Sequence, residues 1–135
     1  MEALTIGKLA QRAGVNLETI RYYEREQLML PPPRTTSGHR AYSSSAVRRL
    51  RFIKRAQELG FSLAEIKDLL AMRRDPDQLC VDVIRQIDTK AQVVERKIAH
   101  LRAIRRALLR MKDSCDGTCS VSECPILESL DREIS

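Results

Sequence analysis

The sequence predicts a mostly all-α protein: a winged helix-turn-helix head of two helix pairs and a small β-hairpin wing, then one long helix that needs a partner. Three observations predict it. Short apolar-periodic segments before residue 75 are each bounded by a capping residue or a glycine. Three prolines and the turn-forming run Thr35-Thr36-Ser37-Gly38 interrupt them. From Cys80 to Lys112 there is neither Gly nor Pro, and apolar residues recur at a heptad period. The chain accordingly divides into a head at residues 1–75, a long helix at 76–113, and a cysteine loop with a short helix at 114–135.

The elements follow in order. Leu4, Ile6, Leu9, Ala10 and Ala13 recur at near-helical spacing, with Thr5 as N-cap and Gly14 as the break. Asn16 caps a second helix expected from Leu17 to Gln27. Two short helices joined by A-G-V-N form a helix-turn-helix signature, whose second helix lies in the major groove of DNA. That helix carries Arg21, Tyr22, Tyr23 and Arg25, side chains suited to phosphates and base edges. Ile20 belongs to the core, and for Tyr23 the core and DNA are equally open. After Pro31-Pro32-Pro33, the turn and His39-Arg40-Ala41-Tyr42 read as a hairpin wing that places Arg34 and Arg40 beside the DNA backbone. Ser43 or Ser44 caps a third helix with the basic run Arg48, Arg49, Arg51, Lys54, Arg55 and a buried face of Val47, Leu50, Ile53, Ala56 and Leu59. Ser62-Leu63-Ala64-Glu65 is a capping box that opens a fourth helix with Ile66, Leu69 and Leu70 inward. Pro76 suits the first turn of the long helix, and Pro125 that of a short last one.

Charge and composition narrow the function. Residues 1–75 carry 14 Lys and Arg against 8 Asp and Glu, whereas residues 76–135 carry 10 of each, so the whole net charge of +6 lies in the head. That asymmetry suits a phosphate-facing surface. No run of eighteen apolar residues exists and MEALTIGKLA has no signal-peptide pattern, so no membrane association and a cytoplasmic location are expected. Thiols stay reduced there, and the 4 cysteines read as metal ligands or redox groups before disulfides. No acid/base pair, phosphate loop or nucleophile–base constellation appears, which points away from an enzyme. A thiol-based metal buffer that needs no DNA is opposed by the basic head and its wing.

In the long helix, Ile84, Ile87, Ala91, Val94, Ile98 and Leu101 alternate spacings of three and four, the seam of a coiled coil. Arg105 interrupts the seam, and Ile104, Leu108 and Met111 continue it displaced by one residue. Such a stripe implies dimerisation. Cys80 and Cys115 lie five heptads apart, on one side of the helix, at roughly 50 Å for a rise of about 1.5 Å per residue. One ion cannot reach both within a chain, since a metal–sulfur bond is only about 2.3 Å. An antiparallel pair brings each Cys80 to the partner's Cys115, whereas a parallel pair brings Cys80 to Cys80.

The runs T-I-G-K-L-A-Q-R-A-G-V-N-L-E-T-I-R-Y-Y-E, G-H-R-A-Y and F-I-K-R-A-Q-E-L-G-F-S-L-A-E-I resemble the mercury-resistance regulator (MerR) family, and the likeness covers essentially the whole chain. It implies an antiparallel homodimer on a palindromic operator within a promoter whose spacer is overlong. It further implies that the metal-free form holds RNA polymerase inactive, and that metal binding untwists the double-stranded DNA to align the promoter elements. Arg34, Arg40 and Tyr42 match the family's wing, while His39 stands where its G-Y-R-x-Y commonly has Tyr. By the same resemblance, Cys80 of one protomer joins Cys115 and Cys124 of the other, giving two sites per dimer.

Thiolate-only ligation selects soft ions: Hg(II), Pb(II), Cd(II), Zn(II) or Cu(I). Cys80 stands where the family's monovalent copper and gold sensors have serine, which favours a divalent ion. The loop contains no histidine, since His39 lies in the wing and His100 on the long helix. The eight residues between Cys115 and Cys124, and Pro125 after them, match the mercury sensors, with lead sensors similar. Hg(II) is therefore the expected effector, and Pb(II), Cd(II) or Zn(II) the alternatives. Cys119 is either a spectator or a fourth sulfur that favours tetrahedral Zn(II) or Cd(II). A redox sensor closing a Cys115–Cys119 disulfide is a further reading, opposed by the acidic neighbours Asp116 and Glu123, which do not depress a thiol pKa.

Overall fold

Among the described residues the elements are helical: α1 (Ile6–Ala13), α2 (Leu17–Arg25), α3 (Ser44–Glu58), α4 (Leu63–Arg74), α5 (Cys80–Asp113) and α6 (Pro125–Leu130), with a 3-10 turn at Val121–Glu123. The computed structural model describes residues 3–32 and 41–132. The expected wing turn, with Arg34, His39 and Arg40, lies outside the described residues.

Local signals set most boundaries. The Thr5 hydroxyl accepts the Lys8 N–H at 3.2 Å, and Gly14 closes α1 at φ +70°, a conformation that glycine adopts without steric cost. Asn16 Oδ1 accepts from Thr19 N at 2.7 Å and from Thr19 Oγ1 at 2.8 Å, which fixes the start of α2. Ser62 and Glu65 form the reciprocal capping box of α4, at 3.2 and 2.8 Å.

Other boundaries differ from the sequence expectation. α2 stops at Arg25, two residues short, because the chain reverses at Gln27 (φ +64°). The reversal lets Leu28 and Met29 enter the core, with both N–H groups on the Tyr23 carbonyl at 2.9 and 3.3 Å. Leu4 lies outside α1 and pairs with Tyr42 in an antiparallel bridge, N–H to O at 2.8 Å in both directions. The strand expected at Tyr42 is thereby tied to the N-terminal segment. Ser43 holds the N-cap position of α3, yet its hydroxyl meets Ser45 Oγ at 2.6 Å rather than a backbone N–H. Leu59 falls off the buried face at 51% exposure, since α3 has ended and Gly60 (φ +94°) turns the chain. Pro76 sits in a turn rather than a helix: Asp75 Oδ1 accepts from Asp77 N and the Asp75 carbonyl from Gln78 N, so α5 starts later, at Cys80.

Two compact units result, Met1–Gln86 and Ile87–Ser135. The first is built on one apolar core. Leu9, Ala10 and Ala13 of α1, Ile20 and Tyr23 of α2, Val47, Leu50, Ile53 and Ala56 of α3, and Ile66, Leu69 and Leu70 of α4 all face it. The second unit has no such core. α5 runs 34 residues without a buried side chain, and Leu101 is 63% exposed in the single chain. Each Ile or Leu left in water forgoes about 1.5–3 kcal/mol of burial.

Candidate nucleic-acid interface and thiol loop

The outer face of α2 carries Arg21, Tyr22 and Arg25, while Ile20 and Tyr23 point inward. The two tyrosines part company. Tyr23 is 3% exposed and its hydroxyl donates to Gln57 Oε1 of α3, whereas Tyr22 is 40% exposed. Burial, then the neighbouring Tyr22 and Glu58, pushes the Tyr23 phenol above its ordinary range, so it stays a neutral hydrogen-bond donor. The alternative left open for Tyr23 falls on the core side. Tyr42 is also buried, with its hydroxyl donating to Glu24 Oε2 of α2 at 3.1 Å. Both rings hold α2 in place against the core. Arg21 pairs with Glu18 at 3.1 Å on the open surface, an interaction of only about 0.3–0.5 kcal/mol that a phosphate readily replaces.

The basic run of α3 is used differently from a simple phosphate track. Arg49 Nε donates to the Leu28 carbonyl at 2.6 Å, and burial, then Arg74, lowers its pKa. Arg51 Nη2 donates to the Arg12 carbonyl at 3.1 Å and Lys54 Nζ to the Gly14 carbonyl at 2.8 Å. These two cations cap the C-terminal end of α1, where carbonyls lack helical partners and the helix dipole is negative. They clamp the turn between α1 and α2 onto α3. Arg48 is left exposed, and Arg55 meets Glu58 at 3.4 Å. Only contacts far apart in sequence separate clamping cations from exposed ones, so sequence reasoning missed this role.

In the second unit the chain leaves α5 into the cysteine loop. Gly117 (φ +88°) makes the reversal, and its N–H points at Cys115 Sγ at 3.4 Å. Asp116 Oδ1 accepts from Thr118 Oγ1 at 2.6 Å and Thr118 N at 3.0 Å, and these bonds hold its carboxyl below the usual carboxylate range. Cys115 and Cys119 are in contact, Sγ to Sγ at 3.4 Å. That hydrogen bond, before the smaller effects of desolvation, Cys115 and Cys124, raises the Cys119 thiol above its ordinary range. Cys124 ends the 3-10 turn and precedes Pro125 at the first position of α6. Cys115 and Cys124 are half-buried and Cys119 is exposed, as is Cys80 at the first residue of α5. Among the described residues, no three Cys, His, Asp or Glu side chains of the chain converge on one point. The loop offers three thiols and no imidazole, and such a sulfur-rich set fits soft, thiophilic ions.

Residues 4–73 match the MerR HTH family regulatory proteins, and residues 47–111 the family described as MerR, DNA binding. The chain belongs to the MerR family. A mercuric resistance operon regulatory protein of Bacillus cereus is 46% identical over 125 residues, 93% of this chain and 95% of that one. The crystal structure of MerR from Bacillus megaterium MB1 in complex with mercury(II) ion is 43% identical, with a TM-score of 0.74, over 96% of this chain and 100% of that one. The regulator PbrR691 from Ralstonia metallidurans CH34, in complex with lead(II), is 35% identical with a TM-score of 0.85, over 94% and 98%. This MerR-family chain is a metal-responsive, DNA-binding transcription regulator and not an enzyme. The chain is similar over nearly its whole length to both the mercuric relatives and the lead-bound one, so the likeness alone does not choose between these ions. No helix among the described residues is long and apolar enough to cross a membrane.

Proposed function

We propose that the protein is a homodimeric mercury-responsive regulator that represses its promoter without metal and activates it when Hg(II) binds. The observation that carries this reading is the cysteine pattern: Cys80 at the head of α5, then Cys115 and Cys124 separated by eight residues, in a loop without histidine. The 46% identity to the Bacillus cereus mercuric regulator supports it. When bound, the soft ion supplies strong, directional bonds to three thiolates and so ties protein segments together. In the proposed dimer the α5 stripes cover each other antiparallel, which brings Cys80 of one protomer to the partner's Cys115 and Cys124. Sensor and dimer interface are then one structure. Arg21 and Tyr22 read or grip the operator, Arg34 and Arg40 hold the flanking backbone, and Tyr23 and Tyr42 set the pose of α2. RNA polymerase is the partner whose promoter elements come into alignment as the DNA untwists.

A second reading keeps the fold and changes the ion. The contact between Cys115 and Cys119 favours Cys119 as an added sulfur for Cd(II), Zn(II) or Pb(II). Promoter output measured against a metal series separates the two. Mercuric ion is expected to induce at the lowest concentration, with Cys119→Ser still responsive. Induction by cadmium, zinc or lead but not mercury, abolished by Cys119→Ser, would replace the first reading with the second.

A further inference from the structure

Cys119 is the one loop thiol for which the three-thiolate reading has no use, yet its position is not that of a bystander. Its sulfur touches that of Cys115 at 3.4 Å. It is exposed, while Cys115 and Cys124 are half-buried. The turn that presents it is held at both ends: Gly117 takes the left-handed conformation, and Thr118, the residue before Cys119, is anchored to Asp116 by two hydrogen bonds. The Cys115–Cys119 pair also lies wholly within one loop, so it needs no second chain.

We propose that Cys115 and Cys119 form a capture site for the thiophilic ion, distinct from the three-thiol site and sharing Cys115 with it. This rests on the reading of Cys80, Cys115 and Cys124 as the sensing ligands. Inside a cell a soft divalent cation travels on small thiols rather than free, and thiolate ligands are exchanged one at a time. Cys119 bonds the incoming ion as one carrier thiolate leaves and takes up the proton that Cys119 gives up. Cys115, already at the neighbouring sulfur, then displaces the second carrier thiolate in the same way. Transfer inward follows as Cys124 and the partner's Cys80 bond the ion and Cys119 leaves, reprotonated by one of the two protons they release; the other passes to solvent. Four metal–sulfur bonds form and three break, as the ion passes from two carrier thiolates to three protein thiolates, and no oxidant or reductant is consumed. Cys119 thus sets how fast the site fills and not how tightly it holds.

Stopped-flow absorbance of the thiolate-to-metal charge-transfer band tests this on the full-length dimer, with mercuric ion offered as its bis-cysteine complex. For Cys119→Ser the second-order rate of uptake should fall about tenfold or more, while stoichiometry and the equilibrium constant against competing thiol stay within about twofold of wild type, since the final ligand set is unchanged. An unchanged rate makes Cys119 a spectator and overturns the proposal. An affinity lowered along with the rate makes it a permanent ligand and overturns it equally. The Cys119→Ala variant controls for residual binding by the serine hydroxyl and should match Cys119→Ser. If wild type itself develops no charge-transfer band, or keeps it unchanged in Cys124→Ser, the three-thiol reading fails first. A normal wild-type band with an unaffected Cys119→Ser rate removes the capture site alone.

Discussion

Lys54 and Arg51 act on the turn between α1 and α2. Each gives its charge to a carbonyl at the end of α1, so their loss should loosen the α1–α2 turn and not remove a phosphate contact. Binding of operator DNA across a salt series distinguishes these roles. Arg21→Ala should flatten the dependence of log K on log salt by about 1.8 for the proposed homodimer, about 0.9 for the one phosphate lost by each protomer. Lys54→Met should weaken binding by roughly 0.5–1.5 kcal/mol, the scale of one hydrogen bond, with the slope kept. A slope that flattened equally in both would return Lys54 to the phosphate track. The same scale shows what the sequence can carry. Thr5, Asn16 and Ser62 were legible as caps because a cap and its acceptor lie within one turn. Tyr22 and Tyr23 were not separable, because their difference rests on Gln57, 34 residues away from Tyr23.

At the scale of elements, α4 and α5 are stabilised by opposite means. α4 has its ends fixed locally and its inner face covered by the head's core. Ser62→Ala removes half of the capping box and should cost about 1 kcal/mol, seen as a lower urea midpoint of the head's transition at unchanged slope. No side chain of α5 is buried among the described residues, and its stripe of Val94, Ile98 and Leu101 lies open. Leu101→Glu places a carboxylate in the proposed seam and should shift sedimentation equilibrium from dimer to monomer at micromolar concentration. If the dimer persisted unchanged, the seam would lie elsewhere. Periodicity made α5 visible over its whole length, since no Gly or Pro interrupts it. Its start was misjudged because Pro76 fits a helical first turn as well as the Asp75 turn it occupies, and the Asp75 side chain decides between them. The end of α2 failed for a related reason. Gln27 carries no mark of a left-handed residue, and only the burial of Leu28 and Met29 pulls it there.

For the molecule as a whole, the decisive property is that no single chain gathers a three-ligand site among its described residues, while its thiols are those of a metal sensor. The cysteine spacing was legible in the sequence; the Cys115–Cys119 contact was not, since it depends on the turn at Gly117. A site divided between protomers has a consequence that no single-chain site shares. In the proposed dimer, a homodimer of Cys80→Ser lacks the first ligand at both sites, and a homodimer of Cys124→Ser lacks the third at both. Mixed in one dimer, they behave otherwise. The Cys124→Ser chain still supplies Cys80, and the Cys80→Ser chain still supplies Cys115 and Cys124, so one of the two sites is complete and the other lacks two ligands. Differently tagged chains, unfolded and refolded together and then purified through both tags, should therefore bind about one tight Hg(II) per dimer, half the wild-type capacity, where either parent homodimer binds only in the weaker two-thiolate manner. The charge-transfer intensity should be about half that of wild type by the same ligand count. A site built within one chain, or from a parallel pair of helices that set Cys80 against Cys80, leaves the mixed dimer no better than its parents. Recovery in the mixed dimer thus tests the antiparallel pairing and the ligand set together, and the single-variant homodimers show which of the two is at fault if recovery does not come.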